Sequence, residues 1–340
     1  MKKKYDIAIV GASGLVGETI LKILDERDFP INNIYLLASS RSIGKTLFYK
    51  GNLIPIQLLE EFDFRKAHIA FFSAGSSVSK DYAPIAADSG AIVIDNTSCF
   101  RYEDDVPLIV PECNLDRLGD YSSRGIIANP NCSTIQMVAA LYPIYKSVGI
   151  ERINVSTYQA LSGAGRNAMD TLKTETIAYL ENNESDGKES KIPFAFNVIP
   201  QIDIFLENGF TKEEMKMVWE TKKILGDSKI LVNPTCVRVP VFFGHSEAVH
   251  LETKAKISVK KVVELLNKAP GIKVIDDKAS EKYPTPRIDA EHNDNVFVGR
   301  VREDHSHPRG INLWIVSDNV RKGAALNSIQ IAEALIEQVM

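Results

Sequence analysis

Apolar positions along the chain come in two rhythms. Ile7-Ala8-Ile9-Val10, Ile34-Tyr35-Leu36-Leu37-Ala38, His68-Ile69-Ala70-Phe71-Phe72 and Ala91-Ile92-Val93-Ile94 are short, nearly unbroken apolar runs of strand length. Runs of that kind fit strands buried on both faces. Between the first two, Ile20, Leu21, Ile23 and Leu24 carry helical spacing, and a helical pattern also separates the last two. Strand and helix in alternation predict an α/β domain with a parallel, doubly wound sheet. A further strand-like run, Gly125-Ile126-Ile127-Ala128, leads through the turn Asn129-Pro130-Asn131 into the helix-patterned Ile135–Leu141.

Beyond that helix the pattern changes. Ile153–Ala160, Lys229–Val232, Cys236–Val241 and Ala248–Leu251 look like strands of a mixed or antiparallel sheet, hence a second, α+β domain. The polar run Glu181–Ser190 reads as a solvated loop, and no repeat at solenoid periods is present. Gly323–Ile336 is an amphipathic helix with Leu326, Ile329, Ala332 and Leu335 on one face, expected to return to the first domain. The boundaries expected are 1–128, completed by 318–340, and 129–317 for the second domain.

A length of 340 residues fits two domains. Apolar and charged fractions of 44% and 25% are those of ordinary globular proteins. The formal charge of −4, with Lys2-Lys3-Lys4 the only basic cluster, leaves no footprint for nucleic acid. No apolar run approaches the ~20 residues of a membrane span, and the first one is too short for a signal peptide. A cytoplasmic enzyme is the expectation. Cys99, Cys113, Cys132 and Cys236 show no metal-ligand spacing, so no metal is expected. His305-Ser306-His307 could grip a metal on a strand, but nothing nearby completes a site. With His292 they are expected at the surface, near a subunit contact.

Gly11-Ala12-Ser13-Gly14-Leu15-Val16-Gly17 lies between a strand and a helix, the place for a dinucleotide-binding turn. Glycines there allow close backbone approach, and the helix N-terminus receives the pyrophosphate. A purely structural turn is the alternative. The second strand ends in Ser39-Ser40-Arg41-Ser42, where an enzyme using NAD would place an acidic residue for the ribose. Hydroxyls and a cation favour NADP, whose 2′-phosphate wants charged donors. Arg101, after Asp95-Asn96-Thr97-Ser98-Cys99-Phe100, is either an anion contact at a strand's carboxyl end or a surface arginine.

Cys132 follows the Asn-Pro-Asn turn and should open a helix, where unpaired N–H groups and the positive dipole end favour a thiolate. It is then either a nucleophile or a small buried hydrophobe. Gln159 ends a strand before the glycine-rich Leu161-Ser162-Gly163-Ala164-Gly165, and Arg238 and His245 stand seven residues apart across a strand and its turn. An arginine on an apolar strand needs an anionic partner. Lys216, in Glu213-Glu214-Met215-Lys216, reads equally well as a solvated helix face.

Taken together, GASGLVG, SSRSIGK, DNTSCFR, NPNCST, QALSGAG, EEMK, VRVPVFFGHSE and DNVRKGAALN, in this order and spanning nearly the whole chain, resemble aspartate-β-semialdehyde dehydrogenase of the bacterial type. The resemblance implies an N-terminal Rossmann-like NADP-binding domain and a catalytic and dimerisation domain. The reaction implied interconverts L-aspartate 4-semialdehyde and L-4-aspartyl phosphate on the way to lysine (through diaminopimelate), threonine and methionine. By position, Cys132 becomes the nucleophile that forms a thioester and His245 the general acid/base. Gln159 orients the acyl group, Arg238 holds the α-carboxylate and Glu213 lies near the ammonium. Arg101, Lys216 and Asn131 bind phosphate. Gly11, Ser13, Gly14, Leu15, Val16, Ser40, Arg41, Ser162, Gly163 and Asn319 contact NADP. A homodimer, or a tetramer built from dimers, is implied as well.

The residue chemistry agrees. A thioester accepts hydride better than the oxygen ester a serine would form, and phosphate is a stable leaving group. Rival readings are N-acetyl-γ-glutamyl-phosphate reductase, with the same reaction type on another substrate, and a cysteine hydrolase, which leaves GASGLVG without a purpose. A non-catalytic nucleotide-binding regulator leaves Cys132 and His245 without one.

Overall fold

The structure, a computed structural model, describes residues 3–181 and 192–340. The polar run expected as a solvated loop falls almost entirely outside them. The chain forms two compact units, the first made of Met1–Asn131 and Ala324–Met340, the second of Cys132–Gly323.

The first unit is built on β1 (Tyr5–Val10), β2 (Ile31–Ala38), β3 (Thr46–Tyr49), β4 (Asn52–Leu58), β5 (Ile69–Phe72), β6 (Ile92–Asp95) and β7 (Ile126–Ala128). Their order across the sheet is β3-β4-β2-β1-β5-β6-β7, parallel throughout except for the β3–β4 hairpin. Ile7, Ile9, Ile69 and Phe71 have no solvent exposure, which is why these strands read as unbroken apolar runs. Helices α1 (Leu15–Glu26) and α2 (Ser76–Asp88) and the single turn α3 (Pro111–Asn114) complete the α/β pattern.

The last helix, Leu326–Gln338, belongs to this unit and packs against α1 and β6. Leu326, Ile329, Ala332 and Leu335 join the core there, and Glu333 takes two hydrogen bonds from Arg27 at 2.7 and 2.8 Å. Asn327 anchors its start by donating to the Ile109 carbonyl (3.0 Å) and Asn129 Oδ1 (2.7 Å). The β3–β4 hairpin has no counterpart in the sequence reading. Phe48 and Leu53 are two-thirds exposed, so the hairpin lacks the buried alternation that marks a strand.

The second unit contains α4 (Cys132–Val148), β8 (Ile150–Gln159), α5 (Arg166–Leu180), α6 (Lys212–Leu225), β9 (Leu231–Arg238) and β10 (His245–Thr253). After these come α7 (Val259–Lys268), β11 (Ile272–Val274), β12 (Val296–Glu303) and β13 (Gly310–Ser317). The sheet order is β11-β12-β13-β10-β8-β9, with β8–β9 and β11–β12 parallel and the other pairs antiparallel. Helices α4, α6 and α7 pack on the sheet. Burial alternates along β8, as expected when one face of a sheet is covered.

The sequence reading split β9 in two at Pro234, and the structure joins the pieces. Pro234 is tolerated because β9 is an edge strand whose outer side carries only one bridge, from Arg238 to Ile199, so its missing N–H interrupts no second ladder. His305 and His307 lie in the connection between β12 and β13, and His292 precedes β12; His305 and His292 are exposed or nearly so.

Candidate active site

In the first unit the chain runs from β1 to β2 on one side and returns as β5 on the other. A reversal of this kind opens a crevice at the strands' carboxyl ends. Gly11 stands there with φ +84°, and a Cβ on it would lie 2.9 Å from the backbone of Ser73 and Ala74. A Cβ on Gly17 would lie within overlap of the Gly11 carbonyl, so glycine is what lets α1 sit against the turn. Gly14 immediately precedes α1, and Leu15 and Val16 are its first residues. The turn is thus a bare cradle at a helix N-terminus, fitted to a pyrophosphate.

Ser13 shares a hydrogen bond of 2.9 Å with Ser42, which ties the cradle to the short turn Ser40–Ser42 after β2. Ser40 and Arg41 are exposed on that turn, with no acidic residue between Ala38 and Lys45. Ser42 was not singled out from sequence; a hydroxyl beside a cation carries no signal that it faces inward. Arg101, in the loop after β6, is buried and donates through Nη2 to the Asn96 carbonyl at 3.0 Å. Buried Asp95 is raised above its ordinary pKa by desolvation, against hydrogen bonds from Thr97 and Ser79 and the charge of Arg101. Asn131 is buried at the end of this unit.

In the second unit one end of the sheet gathers the remaining candidates. Gln159 and Arg238 are register partners at the ends of β8 and β9, while His245 begins β10 opposite Ser317, the last residue of β13. Cys132 is the first residue of α4, as the turn chemistry predicted, and Gln136 one turn further along that helix donates to the His245 carbonyl at 3.4 Å. Glu213 and Lys216 are in the first turns of α6, which starts with a capping box: Thr211 Oγ1 accepts from Glu214 N and Glu214 Oε2 from Thr211 N. Glu214 also accepts from Cys236 N at 3.0 Å, fixing α6 to β9.

The polar contacts run in one chain. Lys216 Nζ bonds Glu213 Oε2 and Asp203 Oδ2, each at 2.9 Å. Glu213 Oε1 accepts from Gln159 Nε2 at 3.2 Å, and Gln159 Oε1 accepts from Thr157 Oγ1 at 3.0 Å. A carboxylate can only accept, so this fixes which way the Gln159 amide points. Arg238 Nη1 donates to the Ala160 carbonyl at 2.6 Å. Burial lowers the Arg238 pKa, while Glu213 and Cys132 oppose the shift; the thiol therefore lies in the field of the guanidinium. For Lys216 burial also works downward, but the two carboxylates prevail and raise its pKa.

His245 is completely buried, and the Ala160 N–H donates to its Nδ1 at 3.0 Å. The neutral ring therefore carries its proton on Nε2. Burial, then the charge of Arg238, push its pKa well below 6.5. A Cβ on Gly163 would come within 3.3 Å of His245 Cε1 and Nε2 and 3.4 Å of Arg238 Nη1. Glycine there lets this turn pack closely against the imidazole. Asn319 Oδ1 accepts from Ser162 Oγ and Gly244 N, both at 3.0 Å, so these residues hold the turn before His245.

The other thiols differ. Cys236 is fully buried and its pKa is driven far up by desolvation; Cys113 is buried; and Cys99 is shifted up by burial and by Asp95. Among the described residues no group of three His, Cys, Asp or Glu side chains could hold a metal ion. No helix among them is long and apolar enough to cross a membrane.

A dinucleotide cradle in one unit and, in the other, a cysteine opening a helix with a buried histidine and arginine fit one class: oxidoreductases using a nicotinamide dinucleotide. The comparisons agree. Residues 6–121 match the family model for the semialdehyde dehydrogenase NAD binding domain, and 141–322 that for the semialdehyde dehydrogenase dimerisation domain. The chain is 54% identical over 336 residues to aspartate-semialdehyde dehydrogenase 2 of Vibrio cholerae, covering 99% of each. A crystal structure of aspartate semialdehyde dehydrogenase II from that organism, complexed with ASA, superposes with a TM-score of 0.97 at 53% identity, covering all of both chains. The Candida albicans enzyme with NADP gives 0.76 at 27% identity, covering 98% of both chains. The chain belongs to the aspartate-semialdehyde dehydrogenase family.

Proposed function

We propose that this chain interconverts L-aspartate 4-semialdehyde, with inorganic phosphate, and L-4-aspartyl phosphate through a thioester on Cys132, using NADP, in the cytoplasmic route to lysine, threonine and methionine. The observation that carries the reading is Cys132 at the start of α4, in the field of buried Arg238, beside a strand end that also presents His245 and Gln159.

In the reducing direction the Cys132 sulfur attacks the acyl carbon, the carbon–oxygen bond to phosphate breaks, and phosphate leaves with a proton taken from solvent. The acyl carbon of the thioester is the position to which a nicotinamide, when held by the glycine turn, would supply hydride. As the resulting adduct collapses, its carbon–sulfur bond breaks and the semialdehyde is released. His245, neutral with its proton on Nε2, donates a hydrogen bond from Nε2–H to the oxygen or sulfur that gathers charge and keeps that proton throughout, the departing phosphate's proton already balancing the reaction. Arg238 is matched to the α-carboxylate, an anion that compensates a buried guanidinium. Glu213 suits the ammonium and Gln159 the acyl group. Lys216, Arg101 and Asn131 are assigned to phosphate.

Gly11, Ser13, Gly14, Leu15 and Val16 suit the pyrophosphate, and Ser40 and Arg41 suit a 2′-phosphate, which favours NADP over NAD. Ser162, Gly163 and Asn319 are assigned to the nicotinamide end. The partner is a second copy of the chain, as a homodimer or a tetramer of dimers, consistent with the dimerisation-domain match. The second unit's sheet offers a polar surface for it, where Asn154, Ser156, Asn233, Thr235, His250 and Asn312 line a cavity of about 250 Å³.

The test is the initial rate of NADP reduction with the semialdehyde, with and without phosphate, alongside NAD and the N-acetyl-glutamyl substrate. Rates should require phosphate and favour NADP and the aspartyl compound. Cys132→Ser should lose about a thousandfold or more of turnover while the fold stays intact. Full turnover in that variant ends the thioester reading.

A further inference from the structure

Cys132 and Gly323 are the second unit's first and last residues, at its two chain connections to the rest of the molecule, and they lie against each other. A Cβ on Gly323 would be 2.8 Å from Cys132 Cβ and 3.3 Å from its Cα. Gly323 is not among the glycines with positive φ, so its backbone could carry any side chain. What excludes one is the space taken by the cysteine.

Gly323 closes a six-residue turn that starts at Asp318 and lies inside the helical turn Arg321–Ala325 leading into the last helix; the start of this segment is strongly cross-braced. Its N–H donates to the Asp318 carbonyl at 3.1 Å. Asp318 Oδ1 accepts from Val320 N at 2.8 Å and Arg321 N at 3.0 Å, and Oδ2 from His292 N at 2.7 Å. The turn follows directly on β13, whose last residue, Ser317, pairs with His245. Its second residue, Asn319, accepts from Gly244 N, one residue before His245. One rigid six-residue turn thus holds the histidine's backbone at one end and meets the cysteine at the other.

We propose that the Asp318–Gly323 turn is a spacer that sets the position of Cys132 relative to His245, with Gly323 as a positioning residue whose bare Cα lets the nucleophile seat. The inference deepens the proposed function and rests on Cys132 being the nucleophile. A methyl at 323 requires the pair of β-carbons to part from 2.8 Å to at least the 3.4 Å of ordinary contact. Braced by Asp318, the turn yields less readily than the first residue of α4. The sulfur then shifts by a good fraction of an ångström, and misplacement on that scale costs about ten- to a hundredfold in rate.

The experiment compares Gly323→Ala with the parent enzyme and with Gly119→Ala, a control where an added methyl meets nothing within 4 Å. In Gly323→Ala kcat should fall about tenfold or more with the semialdehyde KM changed less than about twofold, and iodoacetamide should alkylate Cys132 at an altered rate. The control should match the parent. Gly323→Ala should also lower Tm in the parent background but not in Cys132→Gly, which removes the opposing Cβ. An unchanged kcat, or an equal fall of Tm in both backgrounds, overturns the proposal. The Tm comparison needs no turnover, so it stays informative if the thioester reading fails through Cys132→Ser.

Discussion

Replacing Lys216 by methionine keeps the length of the side chain and removes the cation that Glu213 and Asp203 share. The side chains of Lys216 and Glu213 are 12% and 7% exposed, and Asp203 is 31% exposed. Breaking a buried pair costs about 3–5 kcal/mol, because it leaves a charge behind without compensation. Water reaches Asp203, and Gln159 still donates to Glu213, so the lower end applies: about 3 kcal/mol at neutral pH. The pH window follows from the shifts. Lys216 has its pKa raised above 10.5 in the fold, so its contribution is complete below 10.5 and fades as pH rises through the folded value. Asp203, although burial works upward, is lowered below 3.8 by Lys216, so its contribution is present above 3.8 and fades as pH falls through the folded value. The gap between parent and Lys216→Met should therefore be flat between pH 5 and pH 9 and shrink as pH falls below 3.8 through the folded pKa of Asp203. Urea unfolding across that range measures it. A gap under about 1 kcal/mol at pH 7, the size of an exposed pair, refutes the reasoning, and so does one that shows no decline at all as pH falls below 3.8. Steady-state kinetics separate two roles for the same lysine. Loss of a phosphate ligand raises the phosphate KM alone, whereas loss of Glu213's anchor raises the semialdehyde KM.

Gly11→Ala places a methyl 2.9 Å from the backbone of Ser73 and Ala74 at φ +84°, which should raise the NADP KM about tenfold or more, equivalent to about 1.4 kcal/mol or more of binding; an unchanged KM means the turn does not cradle the cofactor. Glu247 is fully buried, and desolvation, only partly opposed by Gln136, raises its pKa well above 4.5. The fold therefore holds a proton there that the unfolded chain releases, so the parent loses stability as pH rises from 4.5 toward the folded pKa. Glu247→Gln should match the parent near pH 4 and exceed it by a growing margin toward pH 8 in urea melts; a difference independent of pH would mean the carboxylate is charged in the fold.

The parallel sheet was legible because each of its central strands is buried on both faces, which leaves an apolar run between turn residues. The place of Cys132 at a helix start was legible for a local reason: Asn-Pro-Asn stops one element, and the apolar spacing after Cys132 begins the next. The edge pieces were not legible. Phe48 and Leu53 show apolar faces to solvent, and Pro234 divided a strand whose continuity depends on its lying at the sheet edge. In the site, the residue types at Gln159, Arg238 and His245 announced chemistry, but their convergence depends on pairing between strands far apart in sequence. Ser42, Glu247 and Gly323 gave no signal. A serine in a polar turn looks solvated, a glutamate beside a histidine looks exposed, and a glycine near a helix start looks like a cap.

The electrostatics of the second unit also bear on why its histidine is neutral. An imidazolium at position 245 would have to be desolvated, would face the charge of Arg238, and would lose the bond that Ala160 N–H makes to Nδ1. All three oppose protonation, so the ring is neutral with its proton on Nε2 at neutral pH. A neutral donor of that kind can stabilise charge on oxygen or sulfur without neutralising the thiolate, since its own proton is held too firmly to be surrendered in the resting state. A cationic histidine would instead hold the sulfur as a tight ion pair and blunt it as a nucleophile. The cation that the thiol does feel is Arg238, and a substrate carboxylate bound there would mask that charge as the acyl group arrives. Masking that charge lowers the thiolate fraction of Cys132, so its alkylation should slow when a saturating carboxylate analogue lacking the acyl group is present.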